Sequence, residues 1–114
     1  MECIFCKIAG GEIKTEKVYE NDNFFSIRDI KPKVEGHSLV ISKKHFKTIL
    51  DVPDSLASEL LDCIKKTTIK LMNENKAEGF NLVNNSSKIA GQIVDHFHVH
   101  ILPRKTRDNF SIGV

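Results

Sequence analysis

The chain has 114 residues and a mass of 12.9 kDa, the size of one domain, so we expect a single domain over residues 1–114. Hydrophobic residues make up 40% and charged residues 28%, which is typical of a globular protein and excludes a disordered or fibrous one. A net charge of +2 does not favour nucleic acid or a membrane surface as a partner. Without a secretion signal or an apolar run near the roughly 20 residues of a membrane span, we expect a cytoplasmic protein.

The first part of the chain predicts a short helical turn and three strands. Residues 3–8 indicate the turn, which two glycines close. Strands are predicted over residues 17–19, 24–28 and 37–41, where β-branched and aromatic residues are frequent. An Asn/Asp-rich turn and a polar loop separate them.

The second part predicts one long helix and two further strands. From residue 54 to about residue 73, a core-facing stripe recurs at helical spacing: Leu56, Leu60, Ile64, Thr67 and Leu71. Strands follow over residues 80–83 and 96–102, and Pro103 is expected to end the second. These elements predict an α+β fold with a mostly antiparallel sheet of about five strands.

Three of the five histidines, His96, His98 and His100, lie within five residues of the last predicted strand. Side chains alternate along a strand, so the three imidazoles would share one face and the intervening apolar residues the other. If this face were merely exposed to solvent, three neighbouring imidazoles would be unexpected, because they repel one another when more than one is protonated. From the residues alone, the pattern fits either catalysis or a metal site, since His-x-His pairs bind zinc or copper.

The segment His96-Phe97-His98-Val99-His100-Ile101-Leu102 resembles the histidine-triad motif of the HIT family of nucleotidyl hydrolases and transferases. Residues 3–8, 28–41 and 84–95 are similar, in the same order, to further segments of that family. The resemblance spans nearly the whole chain and implies a HIT-like fold.

The resemblance implies cleavage at the α-phosphate of a nucleotide, with no cofactor needed for the chemical step. The middle histidine, His98, would attack phosphorus and form a nucleotidyl-imidazole that water hydrolyses. Imidazole, with an ordinary pKa of about 6.5, is largely neutral near pH 7 and suits this role. Its other nitrogen needs an acceptor, for which we predict the backbone carbonyl of His100. By resemblance, His100 and Gln92 contact the phosphate or leaving group, and His37 supports the nucleophile.

The resemblance also implies a purine nucleotide substrate, AMP as product and a homodimer. Asp29 matches a carboxylate that binds the ribose hydroxyls, and Asn85 matches an asparagine near the phosphates. The apolar slot for the base would comprise Ile4, Phe5, Ile8 and Ile27. Without the family, Asp29 would be interpreted as a turn residue and these four as core residues.

Cys3 and Cys6 have the C-x2-C spacing of zinc ligands, but two ligands do not complete a tetrahedral site. A zinc-bearing branch of the family has ligands at the positions of Cys3, Cys6, His45 and His96, so the resemblance implies a structural zinc ion. Two thiolates and two neutral imidazoles balance the charge of Zn²⁺. The alternatives are a redox pair of cysteines and a solvated His45. Cys63, on the helix stripe, is predicted to be a small buried residue.

Two positions depart from the family pattern. Ile93 stands where a polar residue is frequent, and Asp95 stands where an apolar or aromatic residue is commoner. Three functions remain open at this stage. The chain would be a hydrolase of nucleoside phosphoramidates or dinucleoside polyphosphates, a zinc-stabilised nucleotide-binding module with little turnover, or a metal-dependent hydrolase with the three histidines as ligands.

Overall fold

The computed structural model describes residues 2–114, in which two helices and five strands follow the predicted order. The helices are α1 (Ile4–Ala9) and α2 (Ala57–Asn75). The strands are β1 (Lys17–Glu20), β2 (Phe24–Arg28), β3 (Ser38–Ser42), β4 (Gly79–Val83) and β5 (His98–Arg104). Short 3-10 turns lie at Ile49–Asp51, Asp54–Leu56 and Lys88–Ala90. The α+β prediction is confirmed.

The five strands form one sheet in the order β1-β2-β3-β5-β4, and every neighbouring pair is antiparallel. β5 is the last strand in the chain but lies between β3 and β4. His98 is opposite Ile41 of β3, and His100 is opposite both Leu39 of β3 and Val83 of β4. The histidine segment therefore lies in the interior of the sheet, where strands on both sides fix its register.

Helix α2 covers one face of the sheet, which we call the α2 face. The strands contribute fully or nearly fully buried side chains, and the predicted helix stripe packs against them: Leu56, Leu60, Ile64, Thr67 and Leu71. The stripe is therefore confirmed, and so is the burial of Cys63. Burial of such side chains contributes about 1.5–3 kcal/mol each to folding.

The short helix α1 packs on the opposite face, which we call the α1 face. Its Phe5 and Ile8 contact a cluster of buried strand residues: Phe25, Ile27, Leu39 and Ile41. Because His98 and His100 pair with Ile41 and Leu39, their side chains lie on this face as well. The alternation predicted from the sequence thus places two imidazoles beside α1.

Several predicted boundaries are wrong: α2 begins at Ala57, after the 3-10 turn Asp54–Leu56, and others lie in β3 and β5. β5 begins at His98, so His96 precedes the strand and does not share its alternation; likewise His37 lies just before β3. Pro103 lies inside β5 and does not end it. Since β3 begins at Ser38, opposite Ile101, Pro103 lies beyond the end of β3, where a strand tolerates its missing N–H group. Among the described residues, no helix combines the length and apolar character needed to cross a membrane.

Candidate active site

The ring of His98 is buried on the α1 face and is held by the main chain. Its Nδ1 lies 2.7 Å from the carbonyl oxygen of His96. A carbonyl only accepts hydrogen bonds, so Nδ1 carries the proton and Nε2 keeps an unprotonated lone pair. The prediction that the carbonyl of His100 accepts this hydrogen bond is wrong. His100 lies in β5 and pairs with β3 on one side and β4 on the other, whereas His96 lies in the irregular segment before β5, where its carbonyl faces the ring.

A second pair of imidazoles adjoins His98. The backbone N–H of Lys33 donates to Nδ1 of His37 over 3.1 Å, so the proton of His37 is on Nε2. That Nε2–H lies 2.9 Å from Nδ1 of His100 and donates to it. The proton of His100 is therefore on Nε2. The rings of His98 and His100 are 5.1 Å apart between centroids, so a proton donor lies beside the free lone pair.

Both imidazoles of the pair are neutral at neutral pH. Burial holds the pKa of His37 below its ordinary value, and the charge of Asp29 opposes this shift only in part. Burial, followed by repulsion from His98 and His37, lowers the pKa of His100 to about 4. The nearest carboxylate oxygen, Oδ2 of Asp29, lies 3.6 Å from Nε2 of His37.

Asp29, His37 and His100 also place possible metal-ligating atoms within 4.8 Å of one another. A metal at this cluster would need the Nε2 lone pair of His37. The hydrogen bond from Lys33 to Nδ1 puts the proton on Nε2 and removes that lone pair. The donor set therefore does not suit a metal. In the part of the chain that the structure describes, His96 and His100 belong to different clusters of possible metal ligands and His98 belongs to neither, which argues against the metal-dependent hydrolase that would use all three as ligands.

The first histidine of the triad, His96, faces the two cysteines Cys3 and Cys6. Nε2 of His96 donates to the carbonyl oxygen of Ser42 over 2.6 Å, which leaves the Nδ1 lone pair on the side of the sulfurs. This Nδ1 lies 3.3 Å from Sγ of Cys3 and 3.5 Å from Sγ of Cys6. Nδ1 of His45 lies 3.2 Å from Sγ of Cys6.

The donor set of this cluster fits a zinc ion. The four ligand atoms of Cys3, Cys6, His45 and His96 lie within 4.8 Å of one another. Tetrahedral zinc with ordinary Zn–S and Zn–N bonds separates its ligands by about 3.3–3.8 Å, close to the separations found. His96 also has the second hydrogen bond that metal-bound imidazoles make through their other nitrogen.

Two of the predicted nucleotide-binding residues lie next to the histidines: Phe5 beside His98 and Asp29 beside His37. Phe5 lies edge-on to the ring of His98, with centroids 5.1 Å apart, while Ile4 is 49% exposed. Ile8 and Ile27 are buried in the α1-face cluster, as the core interpretation predicts. Oδ1 of Asp29 accepts from the backbone N–H of Lys31, which is the turn role considered from the sequence. Their contacts with a nucleotide stay predictions.

The loop between β4 and β5 contains the remaining predicted residues. Asn84 donates to the carbonyl oxygen of His98 over 2.9 Å, and the side chain of Asn85 packs against Gly91. Gln92 is buried, and its amide bonds backbone groups of the protein at both ends. Ile93 is 91% exposed. Oε1 of Gln92 and one N–H of its Nε2 are therefore already hydrogen-bonded within the protein. Only the second N–H of Nε2 remains for the predicted contact with phosphate.

Sequence reasoning missed three backbone partners of the histidines: the carbonyls of His96 and Ser42 and the N–H of Lys33. Every residue carries these groups, so no residue type marks them. The edge contact of Phe5 with His98 was also missed, although the pairing of β3 with β5 makes it necessary once α1 packs on Ile41.

This arrangement, a buried imidazole with Nδ1 hydrogen-bonded and Nε2 free next to a second pair of imidazoles on a five-stranded sheet, agrees with the histidine-triad class of proteins that the sequence resembles. The model of the HIT domain matches residues 10–107, and the chain belongs to this family.

Two curated relatives and one solved structure illustrate the similarity. The chain is 41% identical over 106 residues to the uncharacterized HIT-like protein MJ0866 of Methanocaldococcus jannaschii, covering 93% of this chain and 81% of that protein. It is 42% identical over 107 residues to the adenosine 5'-monophosphoramidase HNT1 of Candida albicans, covering 90% and 70%. The crystal structure of SMU.412c from Streptococcus mutans has a TM-score of 0.92 and 40% identity, covering 99% and 72%.

Proposed function

We propose that this protein is a nucleotidyl hydrolase that cleaves the α-phosphate bond of purine nucleoside phosphoramidates and releases AMP. The observation that carries the proposal is the tautomer of His98, whose Nδ1 proton is fixed on the carbonyl of His96 while Nε2 stays free. A relative named as an adenosine 5'-monophosphoramidase supports phosphoramidates as substrates. Dinucleoside polyphosphates, which offer the same α-phosphorus, are the second substrate class to test.

In the first step, the Nε2 lone pair of His98 forms a bond to the α-phosphorus, and the bond from phosphorus to the leaving nitrogen breaks. The leaving nitrogen keeps the bonding electron pair and takes a proton. Nδ1 keeps its own proton, and the carbonyl of His96 stabilises the positive charge that forms on the ring. Water then displaces the imidazole from phosphorus, and AMP is released.

His100 is neutral in the free protein and carries its proton on Nε2, which is free to donate a hydrogen bond to the leaving nitrogen or to a phosphate oxygen. The proton that the leaving nitrogen takes would come from water. His37 donates to Nδ1 of His100 and so fixes which nitrogen points away from the pair. In the second step, the attacking water passes its proton to solvent, and both His98 and His100 return to the neutral starting state.

The nucleoside would lie on the α1 face, next to α1. Phe5 is in edge contact with His98, and Ile4, the residue before it, exposes about half of its surface. Together with the buried Ile8 and Ile27, these side chains would form an apolar surface suited to a purine ring. Asp29 has one carboxylate oxygen bonded to Lys31, and the other can accept from ribose hydroxyls. Asn85 would contact the phosphates.

A structural zinc ion would be held by Cys3, Cys6, His45 and His96. When bound, it supplies cross-linking and no chemistry at phosphorus. His96 would join the ion through its side chain while its carbonyl fixes His98, so the same residue supports both sites. The ion would also fasten α1, which contains Phe5, to the start of β5.

A homodimer is the assembly we propose. Strand β4 pairs with β5 on one side only, which leaves its other edge available for a second copy. Phe80 and Leu82 on this strand are 48% and 46% exposed, which is unusual for large apolar side chains at a sheet edge. Pairing of two β4 edges would cover them.

The test compares turnover of adenosine phosphoramidate and diadenosine polyphosphates by the wild type and by His98→Ala after prolonged chelation. We expect activity that resists chelation and is lost in the variant, with a nucleotidyl-protein adduct trapped by acid quenching of the wild type. Absent turnover with intact AMP binding would favour a nucleotide-binding module. Activity that returns only with added metal would favour metal-dependent hydrolysis.

A further inference from the structure

The loop before β5 contains a residue in a conformation that only glycine adopts readily. Ser87 has φ 74° and ψ 156° and begins the 3-10 turn Lys88–Ala90. This combination is sterically costly for any residue with a Cβ, so it persists only where neighbouring groups hold it. The serine hydroxyl does not cap the turn, so the side chain gives no reason for the conformation.

Gln92 is the residue that holds Ser87. Its Oε1 accepts the backbone N–H of Ser87 over 2.7 Å, and its backbone N–H donates to the carbonyl of Ser87 over 3.1 Å. Its Nε2 donates to the carbonyl of Lys47 over 2.7 Å. Only 3% of Gln92 is exposed. The side chain therefore connects the loop before β5 to the segment after β3.

The same loop is attached to the reacting histidine. Asn84, three residues before Ser87, donates to the carbonyl of His98. Asn85 packs its amide against Gly91, where an added Cβ would lie 3.4 Å from Nδ2. A shift of the main chain at Ser87 would therefore move both asparagines relative to the His98 ring.

We infer that Gln92 is a positioning residue that keeps Ser87 in its strained conformation and thereby fixes the loop beside His98, without itself contacting the phosphate. The test of this inference by kcat rests on the proposed function, whereas its test by hydrogen exchange at Ser87 does not. It differs from the role implied by the family resemblance, in which the glutamine amide contacts phosphate or the leaving group.

Three substitutions of Gln92 and Ser87 separate the two roles. Gln92→Met has a similar length and loses both amide bonds, and we expect kcat to fall about 100-fold while AMP affinity changes little. Adding Ser87→Gly should restore about tenfold of this loss, because glycine adopts the required φ and ψ without the amide. Adding Ser87→Ala should restore nothing, because alanine keeps the Cβ. A phosphate contact made by Gln92 would leave the glycine variant as inactive as Gln92→Met.

Hydrogen exchange at the backbone N–H of Ser87 provides the readout that needs no turnover. We expect slow exchange in the wild type and in Gln92→Glu, which keeps an acceptor oxygen, and fast exchange in Gln92→Met. Equal exchange in wild type and Gln92→Met would overturn the inference. If the wild type turned over no nucleotide, the proposed function would fail, while this exchange comparison would still decide the role of Gln92.

Discussion

The two faces of the sheet both bury polar side chains, but they use them differently. On the α2 face, the hydroxyls of Ser26 and Thr67 bond each other over 2.7 Å, and both groups are satisfied inside the protein. On the α1 face, His96 and His98 each bond a backbone carbonyl through one nitrogen and keep the other nitrogen unprotonated. Polar groups on the first face stabilise the fold, whereas those on the second are held ready for an external partner.

This difference follows from the two nitrogens of imidazole. A buried hydroxyl can satisfy itself with one neighbour, but a neutral imidazole has a donor and an acceptor on opposite sides of a rigid ring. When a carbonyl takes the donor, the direction of the acceptor is fixed. The α1 face thus aims one lone pair at the cysteines and another at the place proposed for phosphorus.

The largest effect is expected when the unprotonated nitrogen of His98 is removed from the α1 face. In His98→Ala, we expect hydrolysis of adenosine phosphoramidate to fall at least about 10,000-fold, because the nucleophile is lost. Single-turnover kinetics measures the rate. AMP affinity, measured by calorimetry, should stay within about tenfold and serves as the control for folding. A variant that kept a tenth of wild-type activity would contradict the assigned nucleophile.

The next largest effect should come from the cysteine and histidine cluster. We expect Cys6→Ser to lose bound zinc and to lower the melting temperature by about 10 °C or more, because a metal that binds only the folded state stabilises it. AMP affinity should fall as well, since α1 and Phe5 lose their link to His96. Zinc content is measured by mass spectrometry and stability by calorimetry.

Cys63 provides the matched control for this experiment. It is buried on the α2 face, away from the cluster, and burial raises the pKa of its thiol to about 11, so it is a poor metal ligand. Cys63→Ala should keep one zinc ion per chain. Unchanged zinc content and melting temperature in Cys6→Ser, or an equal loss of zinc in both variants, would refute the proposed ligand set.

The sequence predicted the α2 face better than the α1 face. Helical spacing alone identified the stripe from Leu56 to Leu71, because a long amphipathic helix has a strong periodic signal. The grouping of Cys3 with His96 came only from the family resemblance, since 93 residues separate them and no local rule joins them. The start of β5 at His98 was missed because alternation continues through His96 in the sequence although the main chain there is irregular.

A smaller effect is the pH dependence of stability, to which His100 on the α1 face contributes. Because the pKa of His100 is about 4 in the folded protein and about 6.5 in an unfolded chain, the unfolded state binds a proton first as the pH falls. We therefore expect stability to decrease between pH 6.5 and pH 4. Because the His100 side chain is only partly buried, solvent screening should keep the loss from this group to about 1–2 kcal/mol. Urea unfolding at pH 7.0 and pH 4.5 measures the loss.

The variant His100→Gln removes this titration while keeping an acceptor for His37. Its loss of stability between the two pH values should be smaller than that of the wild type. Both proteins keep the same proposed zinc ligands, so the titration of those ligands contributes equally to both losses. The Asp62 carboxyl, whose pKa is lowered to about 2 chiefly by the Tyr19 hydroxyl, titrates below this window. Equal losses in wild type and variant would show that His100 is protonated normally in the folded state.

The smallest expected effect tests whether satisfied hydroxyls really stabilise the α2 face. Thr67 and Thr68 are adjacent in α2 and both buried, but only Thr67 bonds Ser26; Oγ1 of Thr68 has no hydrogen-bond partner among residues 2–114. Thr68→Val should raise the free energy of unfolding by about 1 kcal/mol, because an unpaired buried hydroxyl is replaced by a methyl group. Thr67→Val should lower it by about 1 kcal/mol, because the Ser26 hydroxyl keeps only its longer hydrogen bond to the carbonyl oxygen of Tyr19, 3.4 Å away. Urea unfolding of both variants measures the difference, and the same sign for both would mean that packing, and not hydrogen bonding, decides stability on this face.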